Sequence, residues 1–454
     1  MLRIPASSPE ESMVAKHVVL VMAIGARVNG SFSLAKRLSA EGYTLTYLEY
    51  IPGFQVHIER QGLKVQPLVP RDAPGGARHG KGKRAQYRQQ LVAQVAQREY
   101  LNAQVDAWII REKPSLALID ADLLDAIPPF MKHRVPIMLL DGFPSSYLDG
   151  SRPPRCAASV LSRVGRAARR VNRASRWLKA ALRQHINELT QSLELSRLYT
   201  RPTVPSLTQQ IVSLGGRLDR HAGGVRFRAP RIVLGPAAFD WPMAPIAGRQ
   251  YYAGLCVDKE RNDGCELRVC ERRENVIYLS MGTYSKHYPY VERLYRCTYE
   301  SMAFLPDHHL IMQVPNQGEM RTHIGIAPNI TYVERAPQLE VLQRAGLFIS
   351  QGGYSSVREA IMYETPLIVF PGWLDQAWNA SRVEHLGIGL KGDVRNVTTE
   401  TLLFMIRHAA DNNTMKAALR QLHRTIADAD ELSTTVGTIK HILEATDSWD
   451  YRAI

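Results

Sequence analysis

Short apolar runs, each followed by a turn and then by a stretch of helical spacing, recur along this chain, and few folds accept that rhythm. Residues 17–24 form one such run, and Phe32, Leu34, Ala35 and Leu38 behind it are spaced along one face of a helix. Residues 44–49, 116–119 and 137–140 supply further runs, the last two joined by a helix-like stretch. Prolines and glycines are then dense at 230–245, which reads as a linker. A second series follows, with runs at 276–280, 309–314, 347–350 and 367–370. At 454 residues the chain exceeds one ordinary core. The prediction is an α/β protein built of parallel, doubly wound sheets in two domains.

Two segments interrupt the rhythm. Residues 71–90 gather Gly, Lys and Arg with almost no apolar side chain and are expected as a mobile basic loop. Residues 152–184 hold ten Arg or Lys and no acid, with Val160, Val164, Val171 and Leu178 at helical spacing, so a basic amphipathic helix is predicted there. Such a helix can be a solvated face over the core, or a peripheral contact with anionic membrane or an acidic acceptor. The net charge of +14 favours anionic partners without choosing among them, and no nucleic-acid partner is expected. Five cysteines, an odd number, argue against a disulfide framework and for a reducing compartment. Cys265 and Cys270 lack the second Cys or His pair of a zinc site. No apolar run approaches the ~20 residues that span a bilayer. The run at 18–24 starts too late and is too short for a signal peptide. A cytoplasmic protein is expected, peripheral to membrane if 152–184 binds headgroups.

The most informative segment is FISQGGYSSVREAIMYETPLIVFPGWLDQAWNA at 348–380. An apolar strand ends at Ser350, and Gln351, Gly352 and Gly353 turn without bulky side chains. Tyr354, Ser355 and Ser356 then open a helix through Glu359 and Ala360. A strand–glycine–helix junction aims free N–H groups and the positive helix end at an anion. The serine hydroxyls add donors, and a diphosphate is the ligand this suits. A plain tight turn is the other reading of the same residues.

The order of residues resembles the signature region of the UDP-glycosyltransferase superfamily, the inverting GT-B enzymes of macrolide, zeaxanthin and plant secondary-product type. The resemblance runs through Arg335, Ala336, Pro337 and Gln338, then Gln351 to Ser356, Glu359 and Ala360, and finally Asp375, Gln376, Asn379 and Ala380. Ser280, Met281, Gly282 and Thr283 look like the family's first donor-side loop, and Phe239, Asp240, Trp241 and Pro242 like its pre-linker segment. The similarity is strong from about 231 to 444 and weak before that. It implies a GT-B fold, two Rossmann-like domains facing a cleft. Residues 1–240 would bind the acceptor and 241–430 the donor, while 431–454 would pack back on the first domain as a helix. It also implies a nucleoside-diphosphate sugar, a UDP or dTDP sugar, as donor substrate, with no cofactor and no metal, and a small-molecule acceptor.

By the same resemblance, Gly282 and Thr283 approach the diphosphate together with Gln351, Gly352, Gly353, Ser355 and Ser356. Arg335 and Gln338 flank the base, Glu359 accepts hydrogen bonds from the ribose, and Asp375 and Gln376 bind the sugar hydroxyls. The chain departs from the family twice. Gln351 stands where a His usually holds the diphosphate. Arg27 stands where a His usually deprotonates the acceptor, and a guanidinium is never a base at working pH. Three outcomes remain open. The acceptor is an anion, carboxylate or phosphate, that needs no base and pairs with Arg27; or Asp120 or Asp122 serves as the base; or transfer is lost and the chain is a donor-binding partner or degenerate paralogue. An epimerase or hydrolase on the same fold is the further alternative. Asp120 is equally suited to pair with Arg27. Asp120, Ala121 and Asp122 look like a metal-binding Asp-x-Asp but lie in the wrong half of such a chain. His57, His79, His133, His287 and His323 show no ligand or triad pattern. Oligomeric state is not legible.

Overall fold

A computed structural model describes residues 16–22, 25–68, 83–142, 207–221, 224–241, 250–267, 275–282, 290–316, 322–372 and 375–444, with Ser285, Tyr288, Gly318, Trp449 and Tyr451 between or beyond them. In chain order the first strands are β1 (His17–Val21), β2 (Thr44–Glu49), β3 (Val65–Pro67), β4 (Leu116–Asp120) and β5 (Ile137–Asp141). A hairpin of β6 (Leu218–His221) and β7 (Gly224–Phe227) follows, then β8 (Arg231–Val233) and β9 (Gln250–Tyr252). The second series is β10 (Val276–Ser280), β11 (His309–Gln313), β12 (Ile330–Val333), β13 (Leu347–Ser350), β14 (Leu367–Val369) and β15 (Gly389–Lys391).

Two parallel sheets result. The first has seven strands in the order β3-β2-β1-β4-β5-β8-β9, the second six in the order β12-β11-β10-β13-β14-β15. Register is tight at the centres: Val18 lies beside both Leu45 and Leu116, and Ile277 beside both Leu310 and Leu347. β1, β4, β5 and β10 are buried along their whole length, as strands covered by helices on both faces must be. This is the GT-B architecture, two Rossmann-like domains.

Three expectations change. The stretch at 230–245 is not simply a linker. Arg231–Val233 is a fully buried strand paired with β5, and β9 adds another beyond it, so the first sheet continues past 240. β8 and β9 are only three residues long, and the Pro and Gly around β8 obscured the apolar Ile232, Val233 and Leu234. Residues 71–90 are not wholly loop either: helix Lys83–Glu112 begins inside them, because Ala, Gln and Arg there are good helix formers despite their polarity. Residues 71–82 and the basic segment 152–184 lie outside the described residues. The strand expected at 17–24 stops at Val21.

The chain's last helix serves the first domain. Helix Glu431–Glu444 sets Val436, Ile439 and Leu443 into the same core as Leu20, Leu34 and Leu38. Thr435 Oγ1 donates to the Tyr252 carbonyl at 2.7 Å. Beyond the helix, Tyr451 packs on Phe227 with ring centroids 6.0 Å apart and donates its hydroxyl to the Val135 carbonyl. Among the described residues no helix is long and apolar enough to cross a membrane.

Candidate functional site

In a doubly wound sheet the loops part where strand order reverses, and the crevice opens at the carboxyl ends of the strands there. In the first sheet that point lies between β1 and β4. Helix Gly25–Ala40 follows β1 and carries Arg27 in its first turn, while Asp120 closes β4. Arg27 Nη1 donates to Asp120 Oδ1 and Nη2 to Asp122 Oδ2, so one guanidinium spans both carboxylates. Asp120 Oδ1 also accepts from the Asp122 N–H at 3.0 Å. The Asp120 side chain is 0% exposed and that of Arg27 11%, whereas Asp122 reaches solvent at 41%. The Arg27 stem lies against Gly142, where a Cβ would stand 2.4 Å from Arg27 Cγ. Burial opposes the Arg27 charge, but the carboxylates of Asp120, Asp122 and Asp141 overcome it and its pKa is raised. Asp141 in turn holds Arg231 Nη1 at 2.8 Å, both side chains buried. Three carboxylates thus meet two guanidiniums at this end of the sheet.

In the second sheet the order reverses between β10 and β13, and the two loops expected at the diphosphate lie there. Gly282 follows β10 with φ +72°, and Gly352 follows β13 with φ +80°. A Cβ on Gly282 would stand 2.1 Å from Gln351 Nε2 and displace that side chain, and one on Gly352 2.3 Å from Val369 Cγ1; both positions need glycine for conformation, and Gly352 for space as well. Gln351 Oε1 is buried without a hydrogen-bond partner in the protein. Gly353 caps helix Tyr354–Met362 without a side-chain cap of its own, and the first turn carries no acid. That is the arrangement of an anion seat. Ser355 Oγ accepts from Arg358 Nη2 at 3.1 Å, and Ser356 Oγ from Gln338 Nε2 at 3.3 Å. Asn379 Nδ2 holds the Gly352 carbonyl at 2.8 Å and Asp375 Oδ2 at 2.9 Å, tying helix Gln376–His385 to the turn. Gln376 is buried, its Oε1 taking the Gly372 N–H at 3.0 Å. Thr283 lies outside the described residues.

Glu359, expected to meet a ribose, already has partners on both oxygens. Arg261 Nη1 donates to Oε1 at 2.6 Å and Gln338 Nε2 to Oε2. Asp263 holds the other edge of the Arg261 fork at 2.7 and 3.1 Å, and Arg335 reaches only the Asp263 carbonyl, at 3.2 Å. Arg261 and Asp263 were not read as site residues; they sit in a stretch with no periodicity and no motif. The two sheet ends adjoin. A Cβ on Gly30, one turn beyond Arg27, would stand 2.7 Å from Arg358 Nη2 in the helix that opens at Tyr354. Arg358 is buried and also donates to the Leu255 carbonyl at 2.8 Å. Its contacts with Ser355 and the Tyr354 ring are local; those with Gly30 and Leu255 could not be read from spacing.

Comparison with known proteins places this geometry. Residues 300–438 match the erythromycin biosynthesis protein CIII-like, C-terminal domain family. The NDP-glycosyltransferase YjiC of Bacillus subtilis (strain 168) is 25% identical over 201 residues, 44% of this chain and 50% of that protein. The chain resembles the UDP-glycosyltransferase superfamily. Another superfamily relative, the oleandomycin glycosyltransferase of Streptomyces antibioticus, is 25% identical over 213 residues, 46% of this chain and 48% of its own. The chain thus spans about half the length of the curated superfamily relatives it matches. Solved structures extend the likeness in fold to nearly the whole chain. The glycosyltransferase of kitacinnamycin aligns with a TM-score of 0.66 at 19% identity, covering 94% of this chain and 99% of that one. The spinosyn rhamnosyltransferase SpnG, complexed with thymidine diphosphate, aligns at 0.57 and 14%, covering 94% and 100%.

Proposed function

We propose that this chain is an inverting glycosyltransferase that moves a sugar from a nucleoside-diphosphate sugar, a UDP or dTDP sugar, to a small-molecule acceptor. The observation that carries the reading is the meeting of two switch-point crevices, one lined by the Arg27 cluster and one by Gly282, Gln351 and the glycine-led helix start at Gly353. The diphosphate would sit on the N–H groups of that helix start, which take up charge as the bond to the anomeric carbon breaks. Gln351, neutral where the superfamily usually has His, would donate from its amide, and its unpartnered buried Oε1 marks a side chain that a ligand could complete. Asp375 and Gln376 would face the sugar, and Glu359 the ribose. No cofactor beyond the donor is called for.

The Arg27 cluster bears on the acceptor. An anionic acceptor held by Arg27 has less support than the sequence suggested, since Asp120 and Asp122 already hold the guanidinium and, among the described residues, three carboxylates meet two guanidiniums there. A hydroxyl acceptor fits this charge better. Its oxygen would form the new bond at the anomeric carbon while its proton passes to Asp122, the exposed carboxylate of the cluster. Asp120, fully buried, would orient Arg27 and through it Asp122.

The test is calorimetric and thermal-shift titration with UDP, dTDP and GDP, followed by sugar release from the matching donors with alcohol, phenol and carboxylate acceptors. Stabilisation by one nucleoside diphosphate together with transfer to a hydroxyl is the expected result. Tight nucleotide binding without transfer to any acceptor would favour a donor-binding partner, and no nucleotide binding would overturn the reading.

A further inference from the structure

The segment that joins the two domains reaches into the pocket assigned to the donor ribose. Residues 258–264 are fastened to the first domain at three places. Lys36 Nζ pairs with Asp258 Oδ2 at 2.8 Å. Gln61 holds Asn262 by both backbone groups, accepting from its N–H at 2.9 Å and donating to its carbonyl at 3.0 Å. Arg60 lies over Gly264, where a Cβ would stand 2.2 Å from Nη1. From this anchored segment Arg261 extends into the second domain and closes on Glu359, with both side chains 4% exposed. Gln338 occupies the second oxygen of the same carboxylate. A carboxylate buried to this degree offers no surface to a ribose hydroxyl arriving from solvent.

We propose that Arg261 is a built-in competitor for the donor ribose at Glu359, so that the nucleotide site is closed in the unliganded chain and opens when residues 258–264 withdraw. The proposal rests on the donor-site reading above. The chemistry is an exchange: the guanidinium leaves Glu359 Oε1, and a sugar hydroxyl of the nucleotide takes its place as donor to that oxygen, while Gln338 keeps Oε2. Asp263 travels with Arg261 and keeps its charge balanced through the fork at 2.7 and 3.1 Å, which makes withdrawal less costly than exposing a lone buried cation. Because the segment is held by Lys36 and Gln61, any shift of the first domain against the second pulls on Arg261. Donor admission and domain movement are thereby one event.

The experiment measures UDP, dTDP and GDP affinity and association rate by calorimetry and stopped-flow on the full chain for wild type, Arg261→Ala, Gln61→Ala, Glu359→Ala and the Arg261→Ala, Glu359→Ala double variant. Gln61→Ala frees the segment without touching any charge and guards against a misfolded Arg261→Ala protein. The expected result is roughly tenfold tighter and faster nucleotide binding in both Arg261→Ala and Gln61→Ala, corresponding to about 1.4 kcal/mol. The gain from Arg261→Ala should vanish in the Arg261→Ala, Glu359→Ala double variant. If wild type binds a nucleotide and neither variant binds it better, the competitor idea is overturned while the donor site stands. If no protein binds any of the three nucleotides, the donor-site reading falls and takes the competitor with it.

Discussion

Arg27→Ala is the substitution whose consequence can be worked furthest. The Asp120 side chain is 0% exposed and receives Arg27 Nη1 on Oδ1, an oxygen that also accepts the Asp122 N–H at 3.0 Å. Removing one member of a buried ion pair costs about 3–5 kcal/mol, because the remaining charge stays desolvated. Arg27 itself is 11% exposed, so water partly reaches the space it leaves, and the lower end of that range, about 3 kcal/mol, is expected. For a domain of this size that corresponds to a fall in melting temperature of roughly 6–12 °C. The control is Asp120→Asn on the same background, which deletes the stranded charge. The double variant should regain about 2 kcal/mol, within the usual range for directly coupled side chains. Urea unfolding followed by far-UV circular dichroism reads both. An Arg27→Ala protein within about 0.5 kcal/mol of wild type, or a double variant no better than the single, would refute the view that Arg27 exists to neutralise Asp120.

Other substitutions separate chemistry from architecture. Asp122→Asn should lower turnover by about 10²–10⁴-fold at unchanged nucleotide affinity if Asp122 takes the acceptor proton, read as sugar release with hydroxyl acceptors; unchanged turnover removes Asp122 from that role. Gly352→Ala places a Cβ 2.3 Å from Val369 Cγ1 at a φ of +80°, and should weaken nucleotide binding at least tenfold in a calorimetric titration. Burial lowers the His17 pKa, and its Nε2 meets Thr46 Oγ1 at 2.9 Å. The unfolded chain therefore takes up a proton that the folded one resists. Stability from this group is complete above about pH 6.5 and declines as pH falls through the lowered value, by at most about 1.4 kcal/mol per pH unit. His17→Gln should flatten the melting temperature between pH 6.5 and 5, and an identical slope in the variant would exclude His17 as the source.

What could be read beforehand followed sequence distance. Strands at 116–120 and 276–280 announce themselves because a buried parallel strand is apolar at nearly every position, a property of consecutive residues. The turn at Gln351, Gly352 and Gly353 was equally legible, since strand, glycines and helix start adjoin in the chain. The edge strands were not: Arg231–Val233 owes its place to Asp141, and its arginine argues against burial until that partner is known. The family resemblance likewise offered Asp120 as a partner for Arg27, but not that Asp122 would share the guanidinium. Nothing local tells that Arg261 faces Glu359. Ion pairs between distant segments depend on the finished fold, so the polar half of the site was the less readable half.

That the first core is completed by Val436, Ile439, Leu443 and Tyr451 also bears on how the chain is made. At ordinary translation speed, roughly ten to forty seconds separate the emergence of β9 from that of helix Glu431–Glu444. Through that interval the first sheet waits with an apolar groove uncovered on one face, while the second domain, whose strands are nearly contiguous in the chain, is free to close. The order of synthesis and the order of completion are therefore reversed, and a ribosome-stalled chain ending near residue 430 should expose the earlier domain, not the later one, to chaperones and proteases.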